Sequence, residues 1–169
     1  MKSLSIRQPW ALLVCVGAKL VENRTWKTSH RGEVAIHAGG YKDAVKHFRE
    51  QDTWSHALGD VISFGAIIGT VELHDSLAYV DNVWEDPFAE GPFCLLFRNA
   101  KLFREPISHS GRVNLCELPT DVAKQVEDAK ADCIDVTSEL REQCLAAVPA
   151  GPVPKQFLRA EPKWYSPGG

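Results

Sequence analysis

The sequence of 169 residues contains no apolar run that approaches the roughly 20 residues a bilayer-spanning helix needs. Its longest early apolar stretch, Trp10 to Val16, is too short for a secretory core, and no small-residue cleavage site follows it. A cytoplasmic chain with no membrane partner is expected. Metal signatures are missing as well. The five cysteines (Cys15, Cys94, Cys116, Cys133, Cys144) show no C-x-x-C spacing, and the six histidines form neither H-x-H nor H-E-x-x-H. There is no G-x-G-x-x-G and no P-loop, so neither a metal nor a nucleotide cofactor is expected. A strong basic excess is absent too. The net charge of −3 argues against a strong, non-specific nucleic-acid binder.

What is present is ordinary in amount and uneven in place. Apolar content of 44% and charged content of 24% describe a globular chain. The first sixty residues carry nine Lys/Arg against six Asp/Glu, whereas residues 61–119 carry four against eight. The positive potential therefore sits in the N-terminal third. The cysteines read as small buried hydrophobes, because none has an evident base beside it.

Ser3 to Ile6 reads as a short entry strand. Gln8-Pro9 starts a helix, with Pro9 at the first helical position, a buried stripe at Trp10, Leu13 and Val14, and Gly17 as the left-handed stop. From Lys19 to Trp26 the chain alternates as a strand, with Leu20, Glu22 and Arg24 on one face and Lys19, Val21, Asn23 and Thr25 on the other. Charge on both faces suits a strand that lines a cleft. Further strands are expected at Glu33–Ala38, Ala66–Asp75, Phe93–Arg98, Leu102–Ile107 and Val113–Leu118, with Asn99 as a turn and Leu102–Ile107 as an edge. Gly69 marks a bulge, a bend or a close backbone approach. A helix is expected over Tyr41–Asp52, and an acidic loop over Asp81–Pro92. Five or six short strands at this spacing point to a small barrel rather than a doubly wound sheet.

After Pro119 the pattern changes. Asp121–Cys133 and Thr137–Ala147 read as helices, the first capped by Thr120, and beyond Pro149 the chain turns rich in Pro and Gly. Two units are expected: residues 1–119 as the barrel domain and 120–169 as a helical extension with a Pro/Gly-rich tail.

The densest chemistry lies between Arg7 and His37. Arg7, Gln8, Asn23 and Arg24 donate hydrogen bonds, Trp10 and Trp26 offer flat faces for stacking, and the helix start at Pro9 favours a nearby anion. Together with His37 these form the expected ligand-binding set. Lys19 and Glu22 are the candidate catalytic pair, a base and a carboxylate able to orient water.

Ser5-Ile6-Arg7-Gln8-Pro9-Trp10-Ala11, Gly17-Ala18-Lys19, Val21 to Trp26, Arg31-Gly32 and Ile36-His37-Ala38 resemble the ASCH domain, a branch of the PUA-like superfamily. Ile67-Ile68-Gly69, Val71-Glu72-Leu73, Gly91-Pro92-Phe93 and Gly111-Arg112 extend the resemblance over residues 3–118. It implies an α+β fold: a small PUA-like barrel of five to six strands with flanking helices, a cleft floored by the barrel, and a role in RNA metabolism. Some small ASCH proteins are amidohydrolases acting on N4-acylated cytidine and others are ribonucleases. Lys19 matches the cleft lysine of the amidohydrolase type and Arg24 the family's strand arginine. Glu22 stands where that type has a threonine, so the threonine hydroxyl is absent.

The resulting expectation is a domain that binds RNA or a modified nucleotide in a polar cleft one nucleotide wide. The alternatives are a small hydrolase using Lys19 and Glu22, or a protein-interaction module that recruits a partner through the C-terminal extension.

Overall fold

A computed structural model describes residues 1–40, 62–79, 86 and 88–146. The helix expected over Tyr41–Asp52, part of the Asp81–Pro92 loop and the tail from residue 147 lie outside the described residues. Six strands and three helices are seen: β1 Lys2–Arg7, α1 Trp10–Cys15, β2 Val21–Arg24, β3 Gly32–Gly39, β4 Ala66–Ala78, β5 Phe93–Ser108, β6 Leu115–Glu117, α2 Thr120–Ala129 and α3 Ser138–Ala146. The strands form one mixed sheet in the order β2-β5-β4-β3-β1-β6. Only β1 and β3 run parallel; the other pairs are antiparallel. The mixed α+β class, a curled barrel-like sheet with flanking helices, is the one expected. No helix among the described residues is long and apolar enough to cross a membrane.

The sheet curls around α1. Ala11 to Val16 are all buried, so this helix is apolar on every side rather than along the stripe expected, and Trp10 at its start is only half-buried. Leu4, Ile6, Val34, Ile36, Leu73, Leu95, Phe97 and Leu102 close around it. The helix stops where Gly17 takes a φ of 69°. The Leu13 carbonyl then accepts from Ala18 and Lys19 N–H at 2.9 and 3.0 Å, which fixes the backbone entering β2.

The strands of the second half are longer than their sequence suggests. β4 runs three residues past the expected Asp75, and β5 joins the expected Phe93–Arg98 and Leu102–Ile107 into one strand of 16 residues, because a register shift absorbs the expected turn at Asn99. Asn99 lies inside β5 with a φ of 52° instead of ending it. Gly69 meets its expectation on two counts. The β4 register shifts beside it, and a Cβ there would stand 2.0 Å from the Lys101 carbonyl oxygen. Leu102–Ile107 is not a bare edge either: the 132–134 segment pairs along it, with Ile134 N–H donating to Leu102 O at 2.8 Å and Arg104 N–H to Asp132 O at 3.1 Å.

The chain after Pro119 packs back onto the sheet. On α2, Val122 and Val126 cover Ala35, Ile67 and Phe103 on the outer face. Cys144 of α3 enters the main core, and Arg141 Nε donates to Val16 O at 2.8 Å, capping α1. Thr120 is not the cap expected. It is the first helical residue, Pro119 holds the cap position, and no side chain caps α2. Thr137 does cap α3, its Oγ1 accepting from Leu140 N–H at 3.1 Å.

Candidate functional site

The curled sheet brings its edge strand β2 against the part of β1 that lies beyond the β6 pairing, and charged side chains fill the seam. Arg24 reaches from β2 to donate from Nη2 to the Ser5 carbonyl of β1 at 2.8 Å. The same nitrogen stands 3.2 Å from Glu22 Oε1, and Glu22 Oε2 accepts from Lys19 Nζ at 2.6 Å. Lys19 also donates to the Val21 carbonyl. The Lys19 side chain is 5% exposed, Glu22 14% and Arg24 22%, so burial deepens along the row toward the lysine. One carboxylate thus links a buried ammonium to a guanidinium.

The sequence places Glu22 and Arg24 on one face and Lys19 on the other, and the structure changes the second half of that reading. β2 begins only at Val21, so strand alternation does not govern Lys19. Its backbone is bound to the end of α1, and its side chain turns to meet Glu22.

Above the lysine is an aromatic corner. The Phe88 ring lies 6.0 Å from Lys19 Nζ and meets Trp10 edge-on, with centroids 6.2 Å apart. Phe88 is absent from the residues singled out by sequence. It lies far along the chain, in a segment whose only visible signal is acidity.

The other expected ligand residues are distributed more widely. Gln8 is buried and engaged internally: its Oε1 accepts from Leu12 N–H at 3.0 Å and its Nε2 donates to Ser63 O at 2.9 Å. It thereby caps α1, while Pro9, buried beside it, holds the cap position. Asn23 binds the 88–91 turn through its amide. Trp26 is half-buried against the main core, and Arg7 is exposed at the end of β1.

His37 belongs to a different place. It lines an open depression of ≈ 730 Å³ with Gly39, Gly40, Gly65, Ser108, His109, Ser110 and Gly111, and no seam residue takes part. Its Nε2 is 2.9 Å from the His109 carbonyl oxygen, which makes Nε2 the protonated nitrogen and leaves Nδ1 a lone pair. Nδ1 is buried with no partner among the described residues. Burial holds this imidazole below its ordinary value of 6.5, against the opposing pull of the His109 carbonyl. A Cβ on Gly111 would stand 2.5 Å from His37 Cε1 and 3.0 Å from Ser5 Oγ, so only glycine seats the loop there. Ser5 touches both places: its carbonyl receives Arg24, and its Oγ accepts from Arg112 N–H at 3.2 Å.

Among the described residues no group of three His, Cys, Asp or Glu is placed to hold a metal. Burial raises the thiols of Cys15 and Cys94, and pushes Cys144 up to about 11, which makes them poor nucleophiles.

Residues 4–94, more than half of the chain, match the ASCH domain family. The chain belongs to that family. The seam residues, Phe88 and His37 all fall inside the matched stretch of this ASCH domain, whereas α2 and α3 lie beyond it. The chain is 38% identical over 82 residues to Activating signal cointegrator 1 of Mus musculus and of Homo sapiens. That alignment takes in 44% of this chain and 14% of each relative, so the chain spans a small part of their length. Among solved structures, the ASCH protein from Zymomonas mobilis aligns over 86% of this chain and 93% of its own, with a TM-score of 0.40 and 14% identity. A point mutant of that protein aligns over 75% and 96%, with a TM-score of 0.48 and 14% identity.

Proposed function

We propose that this ASCH domain binds RNA, one nucleotide at a time, at the seam between β2 and β1. The observation that carries the reading is the Lys19–Glu22–Arg24 row beside an aromatic corner. The row holds two cations and one carboxylate, a local excess of one positive charge that suits a phosphate or a polarised carbonyl. Donor capacity is left over. Lys19 uses two of its three N–H groups, and Arg24 Nε is buried with no partner among the described residues. Glu22 accepts from a base amino group, and the ring of Phe88 or Trp10 stacks. A net charge of −3 keeps the footprint to this pocket rather than a broad groove.

The test is binding to short single-stranded RNAs by the wild type and by Arg24→Ala. Loss of the guanidinium weakens binding about tenfold, the size of one charge-assisted hydrogen bond. A wild type that binds none of them contradicts the proposal and favours the interaction-module reading.

A second reading is hydrolysis, favoured by the 2.6 Å contact between Lys19 and Glu22 in a buried setting. Here Lys19 and Glu22 are the acid/base pair, acting on a nucleoside amide or an RNA phosphodiester. Incubation with N4-acetylcytidine and with mixed RNA tests it, with Lys19→Ala as the control. Equal inertness of the two proteins ends this reading.

For the chain as a whole we propose residues 1–119 as the ASCH unit and 120–169 as its extension, with α2 and α3 as its structural brace and as the surface open to a protein partner.

A further inference from the structure

Asn23 gives its whole side chain to a turn distant in sequence. Nδ2 donates to the Phe88 carbonyl at 2.8 Å, and Oδ1 accepts from Glu90 N–H at 2.9 Å and from Gly91 N–H at 3.1 Å. Three backbone groups of one loop are therefore satisfied by a single amide on β2. The loop is built from within as well. Asp86 Oδ1 accepts from Phe88 N–H at 2.8 Å and Asp86 O from Ala89 N–H at 3.1 Å, a local Asx turn. Its far end is fixed at Gly91, whose φ of 73° and closeness to Tyr79 exclude a side chain. These contacts fix the backbone of the turn that carries Phe88, whose ring lies over Lys19 and edge-on to Trp10.

That is more restraint than a surface loop needs, and its product is one aromatic ring at a defined place. Asn23 lies between Glu22 and Arg24 in β2, so the strand that carries the charged row also sets the ring's position. We propose that Asn23 is a positioning residue that holds Phe88 as the stacking wall of the seam site, making the site selective for a flat nucleobase over the sugar-phosphate alone. This rests on the RNA-binding reading above and adds which part of the nucleotide is recognised. Lys19 and Arg24 meet charge, which every nucleotide carries. Phe88 meets a π-face, which only the base supplies.

The experiment compares a fluorescent octaribouridylate with an abasic octamer of the same charge, by anisotropy. The wild type prefers the base-bearing strand. Phe88→Leu lowers that preference about tenfold with binding to the abasic strand unchanged, and Phe88→Trp restores it. Asn23→Ala behaves as Phe88→Leu does, and the double variant shows no further loss, because Asn23 acts through the ring. Variants that keep the wild-type preference overturn the proposal, as do losses at Asn23 and Phe88 that simply add. A wild type that binds both strands equally retains the RNA reading and removes the wall; one that binds neither removes both. If Asn23→Ala does not fold, Phe88→Leu alone decides.

Discussion

The seam and the His37 depression share Ser5, yet they are built on opposite principles. The seam is charged, cross-linked and backed by a ring: Lys19, Glu22 and Arg24 partner one another and still hold donors in reserve. The depression is walled by glycines, serines and two histidines, and its buried His37 Nδ1 has no partner among the described residues. Burial alone therefore does not separate the two places. Both places hide a titratable group with spare hydrogen-bonding capacity, but only the seam sets it in a charged row beside the Phe88–Trp10 corner. His37 is held by its Nε2 bond to the His109 carbonyl and by the close seat of Gly111, where β3 and β5 end.

The largest effect expected on this contrast comes from cutting the seam. Glu22→Ala leaves the buried Lys19 ammonium without its carboxylate and should cost about 3 kcal/mol or more in denaturant unfolding. Replacing the lysine by an apolar chain of similar length, Lys19→Met, should cost less than Glu22→Ala, because Glu22 keeps Arg24 as a partner. A reversed order would mean that the ion pair does not hold the seam. Gly111→Ala comes next, at about 1–3 kcal/mol, since its Cβ must displace the His37 ring. NMR should show the His37 ring signals moving while those of Lys19 stay.

The smallest effect belongs to the orphan nitrogen. His37→Phe removes both the Nε2 bond and the unsatisfied Nδ1, so stability at pH 8 should change by about 1 kcal/mol or less. The same substitution should flatten a pH dependence. His37 is held neutral in the fold at pH values where the unfolded imidazole takes up a proton. Its share of stability is thus complete above 6.5 and is lost as pH falls from there toward the lowered folded value. Unfolding midpoints between pH 8 and 5 should drop in the wild type more than in His37→Phe. Equal slopes would place the titration elsewhere.

The spacing of Lys19, Glu22 and Arg24 made them visible in the sequence, because charge on a short strand next to a glycine turn is uncommon. Their arrangement was not visible. The reach of Lys19 depends on where β2 starts, which is set by the Leu13 carbonyl at the end of α1. The ordering β2-β5-β4-β3-β1, which brings Arg24 to Ser5, is a long-range property that no local pattern encodes. Phe88 carries no local signal for the same reason: its position depends on an Asn23 contact across 65 positions. Proximity in sequence sets His37 beside the cleft residues, whereas the register that pairs it with Ser5 places it among the loops at the far end of β5. β5 reads as two strands in the sequence because a bulge and a turn can share the same residue, Asn99, and only hydrogen-bond continuity separates them.

The central claim is that the ligand sits at the seam and not in the depression. Backbone and side-chain NMR shifts recorded while octaribouridylate is added to the wild-type chain test it most directly. The account predicts saturable shifts at Lys19, Glu22, Arg24, Trp10 and Phe88, with His109, Ser110 and Gly111 unmoved. Shifts confined to His37 and the 108–111 loop, with a silent seam, would contradict it.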